Sequence, residues 1–165
     1  MNAPLRNQLS EIDDLTRADN CDEALRRLDL LAESHPGEAW IWRSRSYANS
    51  RRGEIQSALK DLAKAIEKCD QEPDFFYTRG ILLFQEGRFR EAVPDFTRVI
   101  ELCALLGSNY YREGAYLFRA DAHLRLRAYD KARADCRHVS DAMRTWTDRL
   151  RTKSEILAEC AEAEQ

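Results

Sequence analysis

One helical pattern recurs along this chain at a fixed period, and that period constrains the fold more than any other feature. Four alanine-centred stretches, CDEALRRLDLLAE, IQSALKDLAKAIE, FREAVPDFTRVIE and YDKARADCRHVSD, align on Ala24, Ala58, Ala92 and Ala132. The first three anchors are 34 residues apart and the last step is 40, which places an insertion near GSNYYR. A period of this length marks stacked supersecondary units that bury their apolar faces against one another. After the anchors come Leu28, Leu62, Phe96 and Cys136 at i+4, then Leu31, Ala65, Val99 and Val139 at i+7. That is one face of a helix.

A second helix precedes each anchor. Twelve residues upstream stand Ile12, Ser46, Gly80 and Ala120, three of them small, as a close helix–helix approach requires. Sixteen upstream stand Gln8, Trp42, Phe76 and Tyr116, and the three aromatics are assigned to packing between helices. Gly53 and Gly87 end the first helix of their units, and Pro36 and Pro73 fall between units, where a helix must stop. Each unit is therefore helix–turn–helix, over 5–38, 39–72, 73–106 and 113–146. Ser108 or Asn109 can cap a helix, so the first helix of unit four is expected to start early and to project Tyr110, Tyr111 and Arg112. The tail TWTDRLRTKSEILAEC keeps the spacing and predicts a capping helix over 147–162.

Charge follows the repeat. Arg45, Arg79 and Arg119 each precede an aspartate, Asp61, Asp95 and Asp135, by 16 residues. In the first unit Glu11 and Arg27 hold the same places with the signs reversed. A reversal that keeps the charges opposite predicts contact between the two helices of each unit.

The pattern of residue types argues against chemistry. No GxxxxGK, GxGxxG, GxSxG or HExxH occurs. The five cysteines form no CxxC, and no histidine joins them at metal-ligand spacing, so they read as reduced core thiols, with no metal and no cofactor. His123 holds a core-facing place and reads as a buried imidazole. Asp13 and Asp14 are adjacent and point to different faces. The chain is expected not to be an enzyme. At 165 residues it reads as one domain, and its net charge of −3 gives no general attraction to nucleic acid. No apolar run approaches the roughly 20 residues that span a bilayer, and the start lacks a signal-peptide core. No membrane partner is expected, and the expected compartment is the cytoplasm. Twenty-one of the 26 basic residues are Arg, a usage that points to a bacterial source.

The 34-residue period, the small residue, the glycine, the alanine and Pro36 together resemble the tetratricopeptide repeat. The resemblance implies an all-α, right-handed superhelical solenoid of four hairpins plus the capping helix. It also implies a concave groove lined by the first helices, which holds a segment of a partner protein. The groove places carry over to Leu9 and Asp13 in unit one and to Trp40, Arg43, Tyr47 and Arg51 in unit two. Unit three gives Asp74, Tyr77, Ile81 and Phe84, and unit four gives Phe118, Asp121 and Arg125. Aromatics and Arg are the residues that carry most binding energy in interfaces. The expected partner is a peptide segment or folded domain with apolar anchors and acidic groups, and Tyr110, Tyr111 and Arg112 form a candidate second contact site. Carboxylate-clamp members of that family need Lys and Asn where this chain has Leu9, Asp13, Tyr47, Tyr77 and Ile81. The acidic tails of heat-shock chaperones are therefore excluded as partners. A protein-binding adaptor is the leading expectation. A secretion chaperone, an immunity protein that masks a toxin and a self-assembling structural subunit are the alternatives.

Overall fold

A computed structural model describes residues 3–146 and 150–163. The described chain is all-α apart from one very short strand pair. The helices are α1 (Ala3–Arg17), α2 (Cys21–Ser34), α3 (Ala39–Arg51), α4 (Ile55–Lys68), α5 (Pro73–Gln85), α6 (Phe89–Leu106), α7 (Arg112–Arg125), α8 (Tyr129–Cys136) and α9 (Lys153–Glu162). They form four successive hairpins followed by α9. The chain divides within α5 into two compact units, Met1–Phe75 and Phe76–Gln165.

The turn inside each hairpin uses one left-handed residue five positions before the anchor alanine. It is Asp19 (φ 64°), Gly53 (φ 78°), Gly87 (φ 72°) and Arg127 (φ 58°). The sequence shows glycine in only two of these turns, yet all four adopt the same backbone. A left-handed conformation crowds Cβ against the carbonyl and costs a non-glycine residue roughly 1–2 kcal/mol. Arg127 is exposed, with only backbone bonds to define its place. Arg127→Gly is expected to stabilise the protein by about 1 kcal/mol, raising the midpoint of thermal unfolding by roughly 2–4 °C in a chain of this size. Differential scanning calorimetry checks it. An unchanged or lower midpoint would refute the strain.

In the first unit α1 packs on α2 and α3, α2 on α3, and α3 on α4. Leu5, Leu9, Ile12, Ala24, Leu28, Ile41 and Ala48 make one core, and Ala39, Ala65 and Phe75 make another, edged by Trp40 and Trp42. In the second unit α7 packs on α6, α8 and α9, around Tyr116, Leu117, Ala120, Leu124, Ala132, Cys136, Val139, Ile156 and Cys160. Gly80 is small for a measurable reason: a Cβ there would lie 2.8 Å from the ring of Phe96. All five cysteines are free thiols; four are buried and Cys69 is half-buried.

The charged pairs follow the repeat in three hairpins of four. Arg79 donates to both oxygens of Asp95 (2.8 and 2.6 Å), and Arg119 to both of Asp135 (2.9 and 2.6 Å). Arg45 lies 3.7 Å from Asp61, whose other bond comes from Asn49 at 2.8 Å. In the first hairpin Arg27 instead bonds Glu23, its i, i+4 neighbour on the same helix, at 2.7 Å.

Two expectations about the later part of the chain are corrected. The insertion mainly lengthens α6, which runs to Leu106 and ends at left-handed Gly107, so α7 does not project Tyr110 and Tyr111 as a helix. The capping helix is shorter than 147–162. Thr145–Trp146 pairs antiparallel with Leu150–Arg151, and α9 then starts at Lys153; positions 147–149 of the expected helix lie outside the described residues. The start is fixed by a capping box in which the Thr152 side chain accepts from Glu155 N–H (3.2 Å) while Glu155 accepts from Thr152 N–H (2.8 Å).

Candidate functional site

The site of the first unit is a stripe on α3. Ile41, Ser44 and Ala48 turn inward and are buried. Trp40, Arg43, Tyr47 and Arg51 follow at spacings of three and four along the other side, half-buried or exposed. Each has a support. The Trp40 ring meets Phe75 edge-on at 4.9 Å. Arg43 donates to Asp74 at 2.8 Å, and its guanidinium lies 6.0 Å from the centre of the Tyr47 ring. Arg51 is 3.5 Å from Asp19. The structure thus joins Arg43 and Asp74, two of the expected groove places, and balances the Arg43 charge within the chain.

Beside this stripe, Asp13 projects from α1. It accepts from Ser44, and burial raises its carboxyl above the ordinary range against the pull of Arg43 and Arg17. Its Oδ1 is buried with no hydrogen-bond partner among the described residues.

In the second unit the expected groove residues behave differently. Phe84 and Phe118 are 5% and 4% exposed. They meet each other edge-on at 5.7 Å, and Phe118 stacks on Phe96 at 5.4 Å. Rings on successive first helices are large enough to close the gap between them, so these two make core rather than a free surface. Tyr77 joins the cluster, with Phe118 at 6.0 Å and Tyr111 at 5.0 Å. Burial pushes its hydroxyl up to about 12. Gly114 makes room for it, since a Cβ there would sit 2.4 Å from the Tyr77 hydroxyl. Ile81 is half-buried.

Asp121 is also buried, at 1% exposed, and is already partnered. Arg151 donates to both its oxygens (3.0 and 3.1 Å) and to Glu159 at 2.6 Å, and is itself fully buried. Arg125 reaches Asp121 at 3.3 Å and lies over the ring of Phe89 at 6.0 Å. Sequence reading missed Arg151, because it lies in the tail beyond the four repeats and its partner is 30 residues away.

The candidate second contact site is a cleft of about 460 Å³ lined by Asn109, Tyr110, Arg112, Glu113, Gly114, Tyr116, His138 and Met143. Tyr110 is 85% exposed and meets Tyr111 edge-on at 4.7 Å. Arg112 donates to Asn109 at 3.4 Å, and His138 stacks on Tyr116 at 4.4 Å. His123 lies 3.9 Å from Asp135, and burial holds its imidazole below the ordinary value, which favours the neutral ring. Among the described residues no His, Cys, Asp and Glu group could hold a metal ion, and no helix is long and apolar enough to cross a membrane.

Repeated helical hairpins, with a small residue at the close approach in three of the four and a left-handed turn in each, define a helical-hairpin repeat protein. The tetratricopeptide repeat family model matches residues 9–73 and 77–139. The chain belongs to that family. No curated protein matches it in sequence. Among solved structures it is similar to YrrB, a tetratricopeptide repeat protein with a peptide-binding site (18% identity, TM-score 0.66), covering 78% of this chain and 63% of that one. It is similar to the Yersinia enterocolitica type III secretion chaperone SycD, in complex with a peptide of the translocator YopD (15% identity, TM-score 0.66, covering 76% and 97%). It is also similar to PilW, a type IV pilus biogenesis factor (13% identity, TM-score 0.71, covering 84% and 61%). The chain thus spans 63% of the length of YrrB.

Proposed function

We propose that this protein is a non-enzymatic binding module that takes a segment of a partner protein on the first helices of its hairpins. The observation that carries this reading is the α3 stripe. Trp40, Arg43, Tyr47 and Arg51 lie along one side of a helix whose other side is anchored in the core. Trp, Tyr and Arg carry most of the energy in protein interfaces, because they offer large area and directed donors at low entropic cost. Two solved relatives support a peptide segment as the bound form, since one has a peptide-binding site and the other, a chaperone, holds a translocator peptide.

The test is affinity capture from the source organism's lysate with wild type beside Tyr47→Ala/Arg51→Ala. Neither residue is buried, so circular dichroism of the variant is expected to be unchanged. A partner held by the wild type is expected to bind the variant roughly 30-fold more weakly, as loss of one interface hot spot implies. A partner retained equally by the folded variant would remove the α3 stripe as the site.

A second reading has its own observation. Leu105 and Leu106 are 74% and 57% exposed at the end of α6, in the same unit as exposed Tyr110. Exposed apolar groups of this size mark contact surfaces, and self-assembly through them is the structural-subunit alternative. Light scattering of wild type and Leu105→Ser/Tyr110→Ser at micromolar concentration distinguishes it: a wild-type monomer excludes it.

A further inference from the structure

Asp13 and Asp121 occupy the same place in the repeat, 11 residues before the anchors Ala24 and Ala132. Both project from the first helix of a hairpin. At Asp121 the chain itself supplies a partner: the Arg151 guanidinium takes both carboxylate oxygens and is fully buried in doing so. At Asp13 no such partner is present among the described residues. Ser44 donates one bond, and Oδ1 is buried without any. The nearby cations are engaged elsewhere, Arg17 with Asp14 and Arg43 with Asp74. A buried carboxylate oxygen without a donor carries the full desolvation cost of that group. The residue is half-buried where Asp121 is covered, and Asp121 has Arg125 at 3.3 Å besides the covering guanidinium of Arg151. The torsion that turns a carboxylate about its own axis is soft, so the inner oxygen can be presented outward.

We infer that Asp13 is the anchor for a basic side chain, Arg or Lys, of the bound partner segment, in the way that Asp121 anchors Arg151. The inference rests on the reading of the first unit's face as the binding surface, and it adds the partner's chemistry. It differs from the acidic partner group expected opposite Arg43, whose charge Asp74 already balances.

The test is selection of phage-displayed random dodecapeptides on the full-length chain. An enriched peptide is then synthesised with both ends blocked, with its basic residue kept as Arg or replaced by uncharged citrulline. Enriched peptides are expected to share one Arg or Lys. Citrulline is expected to weaken binding about tenfold, Asp13→Asn to weaken it by a similar factor, and the two changes together to cost little more than either. Asp130→Asn, which removes an exposed charge in the second unit, is expected to leave binding unchanged. Asp13→Glu keeps the charge and is expected to retain the preference for Arg over citrulline, a readout that stands should Asp13→Asn fail to fold. Enriched peptides without a shared basic residue, or an Asp13→Asn protein that still prefers Arg to citrulline, would overturn the inference and leave the α3 surface standing. If no peptide is enriched, the segment-binding reading falls and the inference with it.

Discussion

Replacing Arg151 with alanine is expected to cost the protein about 3–5 kcal/mol of stability, the range for breaking a buried ion pair by removing one partner. The side chain is fully buried, Asp121 beside it is 1% exposed, and three of its hydrogen bonds go to two carboxylates at 2.6–3.1 Å. Removing the guanidinium leaves Asp121 in the core with Arg125, a partly exposed group at 3.3 Å, as its one remaining cation among the described residues. The cost therefore exceeds the worth of the pair, because most of it is the burden of the orphaned charge. Arg151→Met/Asp121→Leu, which removes both charges and keeps volume, is expected to be much milder than Arg151→Ala alone. Urea unfolding of the two variants beside wild type measures both. A loss below about 1 kcal/mol for Arg151→Ala would show that the ion pair behaves as an exposed one.

The second large effect lies at Phe96. Its side chain is fully buried, stacks on Phe118 at 5.4 Å and fills the space that Gly80 leaves open. Phe96→Ala is expected to cost about 3–5 kcal/mol, as deleting a buried ring does. The fit makes a sharper test through Gly80. In the wild type Gly80→Ala places a methyl group 2.8 Å from the ring, and overpacking of this kind costs roughly 1–3 kcal/mol. With the ring gone, the same substitution is expected to stabilise, because alanine exceeds glycine by about 1 kcal/mol inside a helix. A double-mutant cycle by chemical denaturation checks the change of sign. Additive effects would mean that glycine is not there for the ring.

The repeat was legible because it is written in spacing. Anchor alanines, turn glycines and the 16-residue Arg–Asp interval each need only one sequence to be seen, and all three Arg–Asp places pair as expected, while at the reversed fourth place Arg27 turns to Glu23. The surface was less legible. Phe84 and Phe118 look like groove residues on a helical wheel, but ring size closes them on each other at 5.7 Å, and size across helices is not a periodic property. Asp121 looked like a partner-binding carboxylate because its partner, Arg151, comes from outside the repeats. The signal for where α9 starts was present in Thr152 and Glu155, a capping box that the continued 34-residue spacing outweighed.

The placement of the thiols gives the chain a built-in chemical clock. Cys21 lies buried in the first unit, and Cys103, Cys136 and Cys160 lie buried in the second, where burial pushes the Cys136 thiol up to about 11 and raises Cys103 as well. A thiol reacts as its thiolate and only where a reagent can reach it. In the native protein Cys69 alone among the five is open enough for ready alkylation, and each of the others must wait for its surroundings to part. Timed alkylation with mass readout therefore follows the opening of each unit separately, in the unaltered chain and without an added label.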